Sequence, residues 1–211
     1  MPPDSSKTTI YVTRHGEGEH NLRTEVFMGR SPEAQLTPAG REQARVLGGR
    51  LAREAAIDRI IASSLPRTME TAGLIAAELG LGEPHGEDAF WELDKGEWEG
   101  VMPRPPPPEV ARAVAADPYS YRYGGGESYR DVVARVVPAF EEWVAAHAGE
   151  TLLFVLHGDV IRALLCHLIG FPQGKVSDFV IDPCSISRFT RADGRIEVGC
   201  LNDAAHLAGS R

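Results

Sequence analysis

The chain has 211 residues, 43% of them hydrophobic and 25% charged, the profile of an ordinary folded protein with one domain or one domain carrying an insertion. Thirty acidic against 22 basic residues leave a formal charge of −8, a field that repels nucleic acid and anionic membranes and obliges any anionic substrate to find a local basic pocket. No run approaches the roughly 18 apolar residues of a membrane span, and Met-Pro-Pro-Asp-Ser-Ser-Lys has no apolar signal core, which points to the cytoplasm.

In chain order, residues 1–8 are expected to form a flexible leader. Ile10, Tyr11 and Val12 predict a strand over Thr9–Thr13 that ends in Arg14-His15-Gly16-Glu17. Thr37-Pro38 is an N-cap followed by a first-position proline, and Ala44, Leu47 and Leu51 at helical spacing carry a helix over 38–54. A second strand is expected over Asp58–Ala62, and Pro66 opens a helix in which Met69, Ala72, Ile75 and Leu79 keep the period, with Arg67 in the first turn. Residues 82–126 break the pattern: four prolines run from Pro105 to Pro108, three glycines from Gly124 to Gly126, and the segment reads as a lid-like excursion. An amphipathic helix over 128–147 follows, with Pro138 predicting a kink. Thr151–Leu156 is apolar throughout, as in a parallel strand covered on both faces, and ends in His157-Gly158-Asp159 before a helix over 160–169. Ser185–Thr190 and Arg195–Cys200 around Ala192-Asp193-Gly194 suggest a closing hairpin or strand pair. Cys166, Cys184 and Cys200 are widely spaced with no Cys-x-x-Cys pair; they indicate neither disulfides nor a thiolate metal site and read as buried small hydrophobes.

Three junctions therefore carry chemistry: a strand into Arg14-His15, a strand into a helix beginning near Arg67, and a strand into His157-Gly158. In a parallel α/β sheet the carboxyl ends of strands face one edge, so these groups can converge on one crevice. Two arginines offer forked donors, a helix N-terminus offers free amides, and glycines admit close approach, all of which suit a phosphoryl group.

These motifs are similar to those of the histidine phosphatase superfamily, also called the phosphoglycerate mutase-like family. The resemblance begins at Arg14-His15-Gly16-Glu17 with Asn21. It continues through Leu36-Thr37-x-x-Gly40, Ser63-Ser64-Leu65-x-Arg67-Thr68-x-Glu70-Thr71-Ala72, Glu92-Leu93-x-x-Gly96-x-Trp98-Glu99-Gly100 and Gly126-Glu127-Ser128, and closes at His157-Gly158. It covers roughly residues 9–190. The resemblance implies a three-layer α/β/α fold with a mostly parallel central sheet, a domain over 9–203 with the lid-like insertion 82–126, and a tail over 204–211. It implies that His15 is a nucleophile forming a phosphohistidine and that Glu92 is the proton donor and later the base. Arg14, Asn21, Gly29, Arg67, His157 and Gly158 would bind phosphate or substrate. No cofactor and no metal enter the implied scheme, and the partner is a small phosphorylated substrate.

Competing readings accompany these residues. Arg14 and Arg67 are also suited to ordinary ion pairs, His157 to a helix cap, and Glu92 to a solvated acidic loop with Asp94, Glu97 and Glu99. His15 and His20 alone make a thin case for a metal site. Trp98, Tyr119, Tyr121 and Tyr123 either line the pocket or fill the excursion. The Glu92-Leu93-Asp94-Lys95-Gly96 block resembles the phosphatase branch rather than the Glu-Arg-x-Tyr-Gly of cofactor-dependent mutases, so hydrolysis is preferred over phosphoryl transfer to a second hydroxyl. A protein phosphatase and a non-catalytic phosphoryl-binding scaffold are the other readings. The run Tyr119 to Tyr129 is similar to the domain that acts on fructose 2,6-bisphosphate, but Val114 and Pro118 stand where that domain has basic residues. Asp159 stands where it has glutamine and is expected to repel a second anion, so that activity is not expected. Gly18 stands where the family commonly has serine or threonine; a hydroxyl contact to substrate is lost and room is left in its place.

Overall fold

A computed structural model describes residues 7–208, so 1–6 of the expected leader and 209–211 of the expected tail lie outside the described residues. Within these residues lies a six-stranded sheet of β1 (Lys7–Arg14), β2 (Arg59–Ser63), β3 (His85–Glu87), β4 (Thr151–Leu156), β5 (Ile186–Ala192) and β6 (Arg195–Asp203). The spatial order is β3-β2-β4-β1-β5-β6. Pairing is parallel from β3 to β1; β5 joins β1 antiparallel, and β6 joins β5 antiparallel. The link between β5 and β6 is the expected hairpin, with positive φ at both Asp193 and Gly194.

Among the described residues five α-helices accompany the sheet: α1 (Pro38–Glu54), α2 (Pro66–Leu79), α3 (Pro108–Ala116), α4 (Tyr129–Ala146) and α5 (Gly158–Leu168). Strand alternation sorts the core into two layers. Ile10, Val12, Leu152, Phe154 and Leu156 meet Val132, Val136 and Phe140 of α4 and Ile161 and Leu164 of α5. Tyr11, Leu153 and Val155 meet Ala44, Leu47 and Leu51 of α1 and Ala72 and Ile75 of α2. Each fully buried Leu, Ile or Phe contributes about 1.5–3 kcal/mol, so the central strands are covered on both faces as their unbroken apolar runs foretold. The result is the expected three-layer α/β/α fold. No helix among the described residues is long and apolar enough to cross a membrane.

Caps explain where the helices begin. Thr37 Oγ1 accepts the Gly40 amide at 2.9 Å with Pro38 in the first turn, and Ser128 and Asp131 form a reciprocal capping box at the start of α4. α4 stays helical through Pro138, where the buried Val136 and Phe140 offset the lost backbone bond.

Several boundaries differ from the sequence reading. Lys7 and Thr8, assigned to the leader, belong to β1, and the Thr8 hydroxyl accepts the Gly149 amide. The segment 82–126 is not wholly an excursion, because it supplies β3 and sends Phe90, Leu93, Trp98 and Tyr123 into the core. Its polar flanks hid these contacts, which form with residues distant in sequence. In the expected tail, residues 205–207 form a single turn with Leu207 buried beside α1. All three cysteines are free, with Cys184 buried and Cys166 and Cys200 only half-buried.

Candidate active site

Beyond the last residue of β1 the ladder persists, with the His15 amide donating to Leu156 O at 2.9 Å, so His15 leaves the sheet edge beside the end of β4. Gly16 and Gly40 explain two of the motifs. A Cβ on Gly16 would lie 2.3 Å from Gly40 O, and one on Gly40 would lie 2.0 Å from Glu17 O, so only glycine allows α1 to press against this loop. The Gly16 amide donates to Thr71 Oγ1 of α2 at 3.1 Å, tying the same loop to the second helix.

The His15 ring is 1% exposed. Its Nδ1 lies 2.6 Å from Gly16 O, which can only accept, so the proton resides on Nδ1. Nε2 is left with its lone pair, and Arg67 Nε donates toward it at 3.4 Å. Burial first, then the charge of Arg67, holds the ring well below the ordinary histidine pKa and therefore neutral.

Arg67 is fully buried at the start of α2. Nη1 donates to Arg30 O at 2.6 Å and Ser31 O at 3.1 Å; Nη2 donates to Gly29 O at 3.3 Å and His157 Nδ1 at 3.2 Å. Because Arg67 must donate, His157 Nδ1 accepts, and the His157 proton lies on Nε2, which donates to Ser63 Oγ at 2.8 Å. His15 and His157 are thus opposite tautomers with ring centres 5.2 Å apart. Burial pushes Arg67 down to about 10, so it remains a cation at neutral pH.

Arg14 donates through Nη1 to Ile181 O at 2.8 Å, while its buried Nε has no protein acceptor. Gly158 opens α5 beside it, with a Cβ position 3.8 Å from Arg14 Nε. Gly29 lines the crevice, and its carbonyl holds Arg67. Asn21 also lines the crevice, with its amide spent on the Gly18 amide at 2.9 Å and His20 Nε2 at 3.0 Å. Arg14, His15, Asn21, Gly29, Arg67, His157 and Gly158 are thus gathered at the carboxyl ends of β1, β2 and β4.

Glu92 enters from the segment after β3. Leu93 N donates to its Oε1 at 2.9 Å, and Asp159 N faces its Oε2 at 3.4 Å. Burial first, then the Asp159 charge, raises its pKa, opposed by Lys95, the Leu93 amide and Arg67. Its neighbours have other tasks. Glu99 accepts the amide and hydroxyl of Ser31, the latter at 2.8 Å, and so fixes the loop whose carbonyls hold Arg67. Glu127 accepts Arg135 at 2.7 and 2.9 Å and the Asp94 amide at 3.0 Å, and Arg135 also donates to Glu92 O at 3.2 Å.

Arg14, Asn21, Gly29, Glu92 and Gly158 line a crevice of about 380 Å³; His15, Arg67 and His157 are buried behind it, the His15 ring centre 5.3 Å from that of His20 in the lining. The sequence reading missed Lys95, Arg162, Arg104 and Arg23 in its lining, because no local pattern separates them from surface cations. The aromatic alternatives divide: Tyr123 lines the crevice together with Tyr129, while Trp98 packs between Phe27, Tyr121 and Tyr123. Asp159 behaves otherwise than expected. Lys95 Nζ lies 2.8 Å from one of its oxygens, and Arg162 at 2.8 Å and the Tyr129 hydroxyl at 2.5 Å meet the other. Against burial, which raises it, Lys95 and Arg162 hold its pKa below the ordinary value. Two cations thus share one carboxylate, and the repulsion of a second anion expected from Asp159 is cancelled locally. The room beside Gly18 is likewise filled, by the His20 ring. No group of three His, Cys, Asp or Glu among the described residues is arranged to hold a metal.

The model of the histidine phosphatase superfamily (branch 1) matches residues 10–204. Phosphoserine phosphatase 1 of Hydrogenobacter thermophilus is 32% identical over 204 residues, covering 94% of this chain and 93% of that protein. A 2,3-bisphosphoglycerate-dependent phosphoglycerate mutase of Methylobacterium radiotolerans is 34% identical over 186 residues, covering 82% and 84%. Among solved structures, a phosphoserine phosphatase mutant from Entamoeba histolytica in complex with phosphoserine superposes with a TM-score of 0.83 at 22% identity, covering 95% of this chain and 99% of that one, a likeness of fold.

Proposed function

The chain belongs to the histidine phosphatase superfamily (branch 1), and from that premise we propose that it is a cytoplasmic phosphatase that hydrolyses a small phosphomonoester through a phosphohistidine on His15. The observation that carries this reading is the His15 tautomer. A neutral imidazole with its proton on Nδ1 offers Nε2 as a nucleophile at the floor of a cationic crevice.

In the first step the Nε2 lone pair attacks phosphorus while the bond from phosphorus to the ester oxygen breaks. Glu92, whose pKa is raised by burial and by the Asp159 charge, gives that oxygen its proton. The Glu92 carboxylate then takes a proton from water, whose oxygen attacks phosphorus; the P–N bond breaks and its electron pair returns to Nε2. Arg14 and Arg67 supply fixed positive charge to the equatorial oxygens, and the amides opening α5 at Gly158 add partial charge. His157 keeps Arg67 in place. A crevice of about 380 Å³ suits a small ester, and the surrounding net charge of −8 disfavours nucleic acid and membrane phosphates.

The test is a phosphomonoester labelled on phosphorus, in a panel of phosphoserine, p-nitrophenyl phosphate, 3-phosphoglycerate and a phosphopeptide. The expected result is an acid-labile, base-stable label on the protein and free labelled phosphate. Label that survives His15→Ala overturns the mechanism, label moved to a second hydroxyl makes the chain a mutase, preference for the phosphopeptide makes it a protein phosphatase, and no turnover makes it a binding scaffold.

A further inference from the structure

Gly18 and His20 are coupled. A Cβ on Gly18 would lie 2.7 Å from both Nδ1 and Cε1 of His20, so a side chain at 18 and the imidazole in this position exclude each other. The ring that takes the space lines the crevice, with its centre 5.3 Å from that of His15.

Hydrogen bonding fixes its proton. The Gly18 amide can only donate, and it meets Asn21 Oδ1 at 2.9 Å, which settles which end of the Asn21 amide is oxygen. The Asn21 NH2 group then faces His20 Nε2 at 3.0 Å, so Nε2 accepts. Burial first, then the charges of Arg67 and Arg14, pushes the His20 pKa down to about 3. A neutral ring whose Nε2 accepts carries its proton on Nδ1, and this N–H is buried without a protein acceptor.

Orphaned donors are rare because each forfeits its hydration. Three buried side-chain nitrogens among the described residues lack a partner, and two of them, His20 Nδ1 and Arg14 Nε, belong to residues lining this one crevice. The shared deficit is of acceptors, and the acceptor-rich group that fits among Arg14, Arg67 and His15 is a phosphoryl group.

We propose that His20 is a further phosphoryl-binding residue of this chain, donating its Nδ1–H to an oxygen of the bound phosphoryl group. Gly18 clears the space, and Asn21 sets the tautomer. The assignment rests on the reading of the crevice as a phosphoryl site. It gives the chain a ring N–H donor in the space that a side chain at position 18 would otherwise occupy.

Asparagine and glutamine separate the two ring nitrogens, since the Asn amide nitrogen reaches the place of Nδ1 and the Gln amide nitrogen that of Nε2. The variants His20→Ala, His20→Gln, His20→Asn and the double Gly18→Ser/His20→Ala are compared with wild type for inorganic phosphate Kd by calorimetry and for kcat/KM on p-nitrophenyl phosphate. Thermal unfolding serves as the folding control. His20→Ala and His20→Gln are expected to lose on the order of 100-fold in kcat/KM and to bind phosphate about tenfold more weakly. His20→Asn and the double variant are expected to regain most of both. Equal losses in His20→Asn and His20→Gln, or no loss in either, overturn the proposal. For variants that fail to fold, the His20 Nδ1–H resonance of the wild-type protein decides: it moves downfield on addition of inorganic phosphate, and a resonance that stays put overturns the assignment. If wild type forms the acid-labile label while its His20 variants bind phosphate equally, only His20 falls; if wild type binds no phosphate, the phosphoryl site itself falls.

Discussion

The floor and the wall of the crevice are built in different ways. At the floor, Arg67, His15 and His157 are at most 1% exposed and fixed by hydrogen bonds to backbone carbonyls, to Ser63 and to one another. The wall, from Glu92 to Glu127, is half-buried and hangs on side chains that reach across the chain, with Arg135 of α4 and Arg30 of the 29–31 loop both converging on Glu127. The floor is rigid because strand ends and saturated donors leave it no alternative. The wall is adjustable, and it meets the part of a substrate that varies. The contrast separates recognition of the phosphoryl group from handling of the leaving group.

The sharpest way to break the floor is Arg67→Lys. An ammonium keeps the charge but cannot span Gly29 O, Arg30 O, His15 Nε2 and His157 Nδ1 together. kcat/KM is expected to fall about a thousandfold with weakened binding of inorganic phosphate. Steady-state kinetics and phosphate calorimetry check this, and a loss below about tenfold means that the fork is not what organises the floor.

Gly126→Ala attacks the wall alone. Gly126, at φ −77° and ψ −126°, lies outside the backbone regions that alanine favours, and a Cβ there would lie 2.4 Å from Asp94 O and 2.8 Å from the Gly96 amide, prising the Glu92 loop from the segment before α4. A displacement of about 1 Å costs on the order of 100-fold in turnover, whereas phosphate Kd is expected to stay within about twofold because no floor residue moves. The pair of measurements tests independence: if phosphate binding falls in step with turnover, floor and wall are one unit.

The same contrast governs what the sequence could reveal. Floor residues sit where strands end, and Thr37-Pro38, Leu65-Pro66 and the apolar run 151–156 mark those ends locally. Helix α1 and strand β4 accordingly begin and end where their residues indicate. The wall depends on Glu127 meeting Arg135 and Arg30, and on Gly96 lying against Gly124 and Gly126, contacts that no local periodicity encodes. Strand β3 was hidden for a similar reason, since His85-Gly86-Glu87 has no strand-forming side chains and is held by pairing with Ile61–Ser63 of β2. Asp159 shows the limit most directly: its charge was legible, but the Lys95 and Arg162 that meet it were not.

That cluster also gives the smallest and most selective test of the contrast, because it joins the wall through Lys95 to α5 through Asp159 and Arg162. Glu92 must be protonated to serve the leaving oxygen, so turnover falls as pH rises through its pKa. After burial, the Asp159 carboxylate is what raises that pKa, while Lys95 and Arg67 lower it and Arg14 and Arg162 add further positive charge nearby. Asp159→Asn removes the raising charge and leaves Lys95 without its carboxylate. Both changes favour ionised Glu92, so the alkaline limb of kcat/KM is expected to move to lower pH, with only a few-fold loss at its optimum. Adding Lys95→Met to Asp159→Asn removes the freed cation and moves the limb part of the way back. The unpaired, 7%-exposed Lys95 of the single variant also costs about 3 kcal/mol of stability, so profiles are taken well below its lowered Tm. A limb that moves upward in Asp159→Asn, or is indifferent to both substitutions, would mean that Glu92 is insulated from this cluster and that the wall sets its proton without help from α5.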